Sequence, residues 1–187
     1  LNAFGHDSSV SILSDEKLLF AVEEERLNRK KHSGVFPLES INQAFKYTNL
    51  SIEDIDHITF PWNPNISLMM APIYVLKFWR TLPTLLREKK DFSMEEQLGM
   101  INHLKDIKKI PKKIKDIFSD KKTKFKFHCL EHHMCHAASA FYPSGFDEAA
   151  ILTYDGAGEW STALLGYGNR KDIKKFHTID TPVSYTH

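Results

Sequence analysis

Residues 124–159 constrain the fold of this chain most, because strand and helix patterns alternate along them. Residues 124–130 alternate charged and apolar side chains, with Phe125, Phe127 and Cys129 on one face, which predicts a strand. Residues 131–141 place three histidines within five positions and continue with small residues that suit a close-packed helix. Residues 149–154 form an apolar run, which predicts a second strand ending before Asp155. This succession predicts an α/β fold.

The histidine-rich helix carries a candidate metal site. His132 and His136 are four residues apart, so a helix places both imidazoles on one face. Two neutral imidazoles in this position can share a divalent metal ion. On its own, such a pair is more often a crowded helix start than a metal site. His133 points elsewhere and is open to a cap, a neighbouring side chain or a ligand.

The acid and glycines after the second strand favour the metal site. Asp155 can hold a metal-bound water, orient a substrate hydroxyl or accept its proton. Gly156 and Gly158 let the backbone approach a phosphate, although Asp-Gly turns are also common in hairpins. Together, these groups predict metal-assisted transfer of a small group from a phosphate-bearing donor.

Two loops near the start of the chain carry polar groups of the same kind. Residues 1–4 are predicted to end a buried strand, and the turn after them contains His6, Asp7 and Ser8. These groups can approach a phosphate or carry a proton, although a plain hairpin turn has the same pattern. A run of charged residues follows the next strands and ends in a basic loop at Lys31, which suits anion binding. Such runs are usually solvated surfaces, so both interpretations stay open for this loop.

The rest of the chain continues the α/β pattern and adds a helical segment. A helix opens after Pro37, and Ser51 with Asp54 three residues later resembles a capping box. From about residue 66 to residue 120 the strand signals vanish, with a further helix start at Ser93, which predicts a helical insertion. Further strands are predicted over residues 10–13, 17–22, 56–60, 161–167 and 173–179.

Residues 105–126 are strongly basic, with ten lysines against three aspartates. A basic patch for an acidic partner is possible with this composition. We favour a solvated amphipathic helix, because aromatic residues are not interleaved as nucleic-acid stacking requires. The positions predicted to face inward are Ile107, Ile110, Ile114, Ile117 and Phe118.

Composition narrows the class of protein. The chain has 187 residues, enough for one domain with a core, and a net charge of +1, which argues against a surface built for nucleic acid. No apolar run approaches the length of a membrane span, and no basic-then-apolar leader is present. Cys129 and Cys135 suggest packed, reduced thiols of a cytoplasmic protein. The chain has no initial Met and an abrupt end, so we expect a fragment.

Four segments resemble, in order, the NodU/CmcH-type O-carbamoyltransferases. They are residues 4–9, residues 23–32 with the following Phe36-Pro37, residues 131–141 and residues 153–159. The resemblance implies an actin-like ATPase (ribonuclease H-like) fold of two lobes, with a mixed sheet and flanking helices. This chain would be the first lobe, with the helical insertion at about residues 66–120. The second lobe and an adenylate-forming domain would lie outside it.

The family also implies a chemistry. The adenylate-forming domain makes carbamoyl-adenylate from carbamoyl phosphate and ATP, and the actin-like domain passes the carbamoyl group to a hydroxyl of a sugar or antibiotic. The implied metal is iron, held by His132 and His136 with a further acidic ligand from the second lobe. Asp155 would lie in the transfer site and activate the acceptor hydroxyl. The donor would lie near His6 and Lys31, and we expect cofactor binding at Asp7, Ser8, Gly156 and Gly158.

The activity of the chain alone, its functional class and its acceptor are open at this point. Without the second lobe, the adenylate-forming domain and a complete metal shell, we expect the chain alone to be inactive. One alternative is an actin-fold ATP-binding or sugar-kinase-like protein that binds ATP at the glycine turns without histidine ligands. Others are a tRNA threonylcarbamoyl-transfer protein, which has a similar histidine pair, and a helical interaction module at residues 66–120. A nodulation oligosaccharide, an aminoglycoside and a cephem all fit as acceptors.

Overall fold

The computed structural model describes residues 1–88, 94–156 and 158–180, which divide into two units. One unit comprises Leu1–Phe60 and Leu98–His128, and the other comprises the described residues of Pro61–Gln97 and Cys129–His187. Three parts of the predictions lie outside the described residues, namely the helix start at Ser93, Ala157 of the glycine-rich turn and residues 181–187.

The first unit opens with a β-hairpin. Strand β1 (Ser9–Ser14) pairs antiparallel with strand β2 (Lys17–Glu23). The two residues between them, Asp15 and Glu16, have φ angles of 49° and 65°. Positive φ at both central residues is typical of a type I′ turn. Two-residue hairpins favour this turn because its backbone twist matches the twist of the strands.

Short helices and a second strand pair complete the first half of this unit. The elements are helix α1 (Glu24–Asn28), helix α2 (Leu38–Thr48), a 3-10 turn (Ile52–Asp54), and strands β3 (His57–Phe60) and β4 (Lys126–Cys129), which pair with each other. Only the last residue of β4 falls in the second unit. The predicted capping box is confirmed, since Ser51 Oγ accepts from the Glu53 amide and the Asp54 carboxylate accepts from the Ser51 amide.

Two long helices occupy the segment predicted to be helical. They are helix α3 (Pro64–Glu88) and helix α4 (Met94–Ile117), which enters the first unit at Leu98. Ile107, Ile110 and Ile114 of α4 are buried. The lysines around them are exposed, as the amphipathic interpretation predicted.

The end of this apolar stripe is less buried than predicted. Ile117 and Phe118 are only partly buried. Ile117 is the last residue of α4 and Phe118 follows it, and side chains at a helix end have fewer neighbours to cover them.

The second unit consists of one helix on a three-stranded antiparallel sheet, together with α3. Strands β5 (Glu148–Tyr154), β6 (Ser161–Asn169) and β7 (Asp172–Asp180) pair in sequence order. Helix α5 (His132–Phe141) packs on the sheet through a core formed by Ala137, Phe141, Ile151 and Ile173.

The mixed α/β class is confirmed, and its sheets are smaller than expected. The described strands form sheets of two, two and three strands, where the family resemblance implied a mixed sheet. In the two sheets whose register is described, each strand pairs with the next strand in the sequence. Short connections favour such antiparallel pairs. None of the described helices combines the length and apolar character needed to cross a membrane.

Both cysteines are free thiols and partly buried. Burial raises the pKa of the Cys129 thiol and raises that of Cys135 to about 11. Thiols of this kind react slowly, because the thiolate is the reactive form. This agrees with the prediction of packed thiols.

Candidate metal centre

Helix α5 and the end of strand β5 bring the three predicted groups together. His132 and His136 lie one turn apart on α5, with ring centroids 4.5 Å apart. Asp155 follows directly on β5, and its Oδ2 atom lies 2.9 Å from His132 Nε2 and 3.1 Å from His136 Nε2. The two Nε2 atoms are 3.0 Å apart. The predicted convergence of a histidine pair and an aspartate is therefore present within one unit.

The sizes of these separations fit one shared ion. Ligand atoms about 2.1 Å from a metal are about 3.0 Å apart when they subtend a right angle, and about 3.4 Å apart in a tetrahedron. The observed triangle, with sides of 2.9, 3.0 and 3.1 Å, matches one face of an octahedron better than a tetrahedral site. Two histidines and one carboxylate on one face are the ligand set of non-haem iron(II) centres.

The hydrogen bonding of His132 is compatible with a cation between this ring and Asp155. His132 Nδ1 lies 3.0 Å from the carbonyl oxygen of Pro61, which can only accept a hydrogen bond, so Nδ1 carries the proton in the neutral ring. The Nε2 lone pair then points at a carboxylate oxygen, and these two groups repel unless a proton or a cation lies between them. In metal-bound histidines, the ring nitrogen that does not bind the metal usually donates a hydrogen bond to a group such as a backbone carbonyl, as Nδ1 does here.

Asp155 is held in its ionised form. Burial alone would raise the pKa of Asp155. With a proton on each facing Nε2 atom, hydrogen bonds from His132, the Gly156 amide and His136 outweigh burial and lower the pKa to about 2. The Gly156 amide donates to Oδ1 over 2.6 Å, which leaves Oδ2 facing the histidines. The carboxylate therefore has one oxygen fixed by the backbone and one directed at the candidate site.

The site is partly open to solvent. The side chains of His136 and Asp155 are 46% and 40% exposed, whereas that of His132 is 20% exposed. Three protein ligands around an accessible position are typical of catalytic metal sites, because structural sites are closed by a fourth ligand. The arrangement leaves room for a substrate or a further ligand.

His133, whose role the sequence left open, is a packing residue. It is fully buried, its Nε2 atom lies 2.9 Å from the Ser161 carbonyl oxygen, and its Nδ1 atom lies 2.8 Å from Thr153 Oγ1. Nε2 therefore donates to the carbonyl and Nδ1 accepts from the hydroxyl. Burial lowers the pKa of His133, which favours this neutral form. The residue ties α5 to strands β5 and β6.

The glycine-rich turn is already occupied by local hydrogen bonds. The Gly156 amide donates to the Asp155 carboxylate, and the Gly158 amide donates to the Ser161 carbonyl. A Cβ atom on Gly158 would come within 2.9 Å of His133 Cδ2. Gly158 is therefore required for close packing on His133, and cofactor binding by Gly156 and Gly158 stays a prediction.

The first unit contains the other predicted residues. His6 and Lys31 are exposed, Asp7 has a positive φ of 55°, and Ser8 is buried. The turn that carries His6, Asp7 and Ser8 lies against the basic loop, since the Ser8 amide donates to the Ser33 carbonyl. The structure thus brings these two sequence-distant loops together. Their assignment to the donor stays a prediction.

Close packing of these loops depends on glycine. The Phe4 amide donates to the Gly34 carbonyl, and a Cβ atom on Gly34 would clash with the carbonyl oxygen of Gly5. Asp7, Glu25 and His32 also bring possible ligand atoms within 4.8 Å of one another. These atoms have protein partners, because the His32 ring bonds Asp7 and the His32 amide donates to Glu25.

Sequence reasoning missed Glu159 as a site residue. Its carboxylate is 5% exposed and accepts hydrogen bonds from the backbone amides of His132 and Asn63. Trp62, next to Asn63, lies with its ring centroid 5.3 Å from that of His132. The sequence shows an acidic residue four positions after Asp155, but the pattern does not indicate which groups this residue contacts.

Comparison with known proteins agrees with the resemblance. The family model described as "Carbamoyltransferase N-terminus" matches residues 1–187. The chain is 36% identical over 98% of its length to the uncharacterized protein sll1178 of Synechocystis sp., of which it covers 29%. It is 30% identical over 95% of its length to the nodulation protein NolNO of Sinorhizobium fredii, of which it covers 23%.

A more distant relative extends the comparison to an archaeon. The chain is 26% identical over 84% of its length to the uncharacterized protein MJ1058 of Methanocaldococcus jannaschii, of which it covers 30%. The chain therefore spans less than a third of each of these relatives. It belongs to the carbamoyltransferase N-terminus family.

Proposed function

We propose that this chain is the N-terminal part of an O-carbamoyltransferase. The full protein would make carbamoyl-adenylate from carbamoyl phosphate and ATP and pass the carbamoyl group to a hydroxyl of a sugar or antibiotic-like acceptor. Family membership supports carbamoyl transfer in general. The observation that carries the proposal is the triangle of His132, His136 and Asp155, whose ligand atoms are 2.9 to 3.1 Å apart.

The proposed architecture is the first lobe of an actin-like fold. Helices α3 and α4 would form the helical insertion, and the second lobe and adenylate-forming domain would lie in the rest of the protein. The relatives leave room for these parts, because the chain covers only 23% to 30% of their length. The second lobe would also supply the further acidic ligand of the metal.

We assign iron to His132 Nε2, His136 Nε2 and Asp155 Oδ2. These atoms fit the ion because the donor set matches a facial triad and because the lone pair of His132 faces a carboxylate. When bound, the ion would act as a Lewis acid that polarises the carbamoyl carbonyl and stabilises developing negative charge. Pro61 and the Gly156 amide would keep His132 and Asp155 oriented during transfer.

Asp155 would also act on the acceptor. As a ligand of the ion it would be ionised, so it could accept a hydrogen bond from the acceptor hydroxyl and hold this group in place. A carboxylate that shares its charge with a metal ion is a weak base, because efficient proton acceptors have a pKa near the working pH. Orientation of the hydroxyl is therefore the larger part of the role that we propose for Asp155.

The donor would be bound by the loops of the first unit. Lys31 is exposed and cationic, and it would neutralise phosphate charge. His6 is exposed on the adjoining turn and would donate a hydrogen bond to the donor. Asp7 and Ser8 of the same loops would contact the phosphate-bearing cofactor. In the second unit, Gly156 and Gly158 would contact a cofactor after their local hydrogen bonds open.

The direct experiment uses the full-length protein that contains this chain. It is incubated with ATP, carbamoyl phosphate and three acceptors: a nodulation-type oligosaccharide, an aminoglycoside and a cephem. We expect mass spectrometry to find one added carbamoyl group on at least one acceptor, and none when Asp155 is replaced by Ala. ATP hydrolysis with phosphorylation of an acceptor would instead support the kinase-like alternative and contradict the proposal.

A further inference from the structure

Glu159 occupies a position that links two parts of the second unit. Its carboxylate is buried, and both oxygens accept from the His132 amide, at 3.0 and 3.1 Å. Oε1 also accepts from the Asn63 amide at 2.6 Å. One side chain therefore joins the start of helix α5 to the segment that precedes helix α3.

The start of α5 depends on this remote carboxylate. The first amides of a helix have no partner within the helix and need an acceptor from elsewhere. Glu131 is at the N-cap position but makes no capping bond in the described part of the chain, and its carboxylate pairs with Lys175. Glu159 supplies the acceptor, and its negative charge suits the positive end of the helix.

The same contacts control the geometry of His132. Glu159 bonds the backbone amide of His132 and, through Asn63, fixes the segment that contains Pro61. The Pro61 carbonyl in turn accepts from His132 Nδ1 and thereby selects the tautomer whose Nε2 lone pair faces Asp155. Both the position of the ring and its tautomer therefore depend on contacts that meet at Glu159.

We propose that Glu159 is a positioning residue for the metal centre, acting through the His132 backbone and the Pro61–Asn63 segment. The inference rests on the proposed metal site at His132, His136 and Asp155. A positioning residue differs from a helix cap in its effect on metal binding. A cap alone contributes to the stability of the metal-free chain, whereas a positioning residue also sets the affinity and the coordination geometry of the ion.

The test measures Fe²⁺ affinity of the full-length protein that contains this chain, under anaerobic conditions and by competition with a coloured chelator. Outer contacts of metal ligands typically contribute about 10- to 100-fold in affinity, so we expect a loss of this size for Glu159→Ala. Glu159→Gln keeps one oxygen that can accept both amides, so we expect it to recover most of the affinity. Circular dichroism of each metal-free variant reports whether it is folded.

Glu131→Ala is the matched control. It removes a carboxylate of the same charge beside the same helix end, but one that bonds Lys175 instead of the backbone of α5. We expect it to bind Fe²⁺ as the unmodified protein does. The Co²⁺-substituted protein provides a second readout, since its visible spectrum should change in Glu159→Ala and stay unchanged in Glu131→Ala.

The outcomes separate this inference from the proposed function. If the unmodified protein binds no Fe²⁺, the proposed metal site is wrong and the inference is overturned with it. If the unmodified protein binds Fe²⁺ and folded Glu159→Ala binds it equally well with an unchanged Co²⁺ spectrum, only the inference is overturned. An equal loss in Glu131→Ala would also overturn it, because charge near the helix would then explain the effect. If Glu159→Ala does not fold, Glu159→Gln is the test. Recovered Fe²⁺ affinity in Glu159→Gln supports the inference. A loss of affinity as large as that of a ligand variant contradicts it.

Discussion

The carboxylate of Glu24 accepts hydrogen bonds from the amide and the hydroxyl of Ser40, at 2.8 and 2.5 Å, although the two residues are sixteen positions apart. Glu24 is buried, and it also accepts from the Glu39 amide. These donors lie in the first turn of α2, where Pro37 at the N-cap position provides no capping side chain in the described part of the chain. Glu24 therefore caps α2 from another element.

Loss of the Ser40 hydroxyl should destabilise the first unit. Ser40→Ala leaves a buried carboxylate with fewer donors, and a hydrogen bond to a charged group contributes about 1.5–3 kcal/mol. We expect the free energy of unfolding to fall by about 2 kcal/mol, measured by urea denaturation. Ser119→Ala, at an exposed position, is the control and should change it by less than about 0.5 kcal/mol. Equal stability of the two variants would contradict this role of Glu24.

Three helix caps show what the sequence could and could not predict. The capping box of Ser51 and Asp54 was predicted correctly, because both partners lie within three residues and the pattern is local. The caps of α2 and α5 come from Glu24 and Glu159, which lie sixteen and twenty-seven residues from the amides they bind. No local pattern encodes such a contact, because it exists only once the chain has folded.

The candidate metal site was predictable for a related reason. The four-residue spacing of His132 and His136 fixes their common face on any helix, and an acid at the end of the next strand returns to the same edge. The burial of His133 and the local use of the Gly158 amide were not predictable, because both depend on how α5 packs against β5 and β6. Strand and helix positions followed the periodicity, whereas the division into small sheets did not.

The capping box predicts a pH dependence. A hydrogen bond from the Ser51 amide, followed by one from its hydroxyl, lowers the pKa of Asp54 from its ordinary value of 3.8. The stabilisation is therefore fully present above 3.8 and is lost as the pH falls through the lower pKa of the folded state. Ser51→Ala removes the hydroxyl contribution, so we expect NMR titration to give a higher Asp54 pKa in this variant.

The same substitution should also change stability in a pH-dependent way. The difference in unfolding free energy between the unmodified chain and Ser51→Ala should be larger at neutral pH than in acid, where Asp54 is protonated. Ser119→Ala, at an exposed position after α4, is the control for removal of a hydroxyl that is outside the capping box. A difference that is constant over this pH range would show that the Asp54 carboxylate has no part in the effect.

Gly158→Ala tests whether this glycine is required for packing. The added Cβ atom would lie 2.9 Å from His133 Cδ2 and 3.0 Å from the Ser161 carbonyl oxygen. Overpacking of this kind costs about 1–3 kcal/mol, so the melting temperature should fall. Gly5→Ala is the matched control, because no atom lies within 4 Å of its added Cβ and its φ is not positive. Equal melting temperatures would refute the packing role.

Ser8→Ala should separate stability from ligand binding. Ser8 is 1% exposed, and its hydroxyl has no hydrogen-bond partner among the described residues. A buried unsatisfied hydroxyl costs about 1–3 kcal/mol, so its removal should leave the unfolding free energy unchanged or raise it. If Ser8 contacts the donor, the same variant of the full-length protein should bind ATP more weakly. A loss of stability in the chain without ligand would contradict this account.

The most direct measurement is the iron content of the full-length protein that contains this chain, after anaerobic reconstitution with Fe²⁺ and removal of excess metal. The account predicts about one iron per chain, and a loss of most of it in His132→Gln, His136→Gln and Asp155→Asn, since each substitution removes one ligand. His177→Gln, at an exposed position of β7, should retain the metal. An unmodified protein without iron, or ligand variants that retain as much iron as His177→Gln, would contradict the central claim.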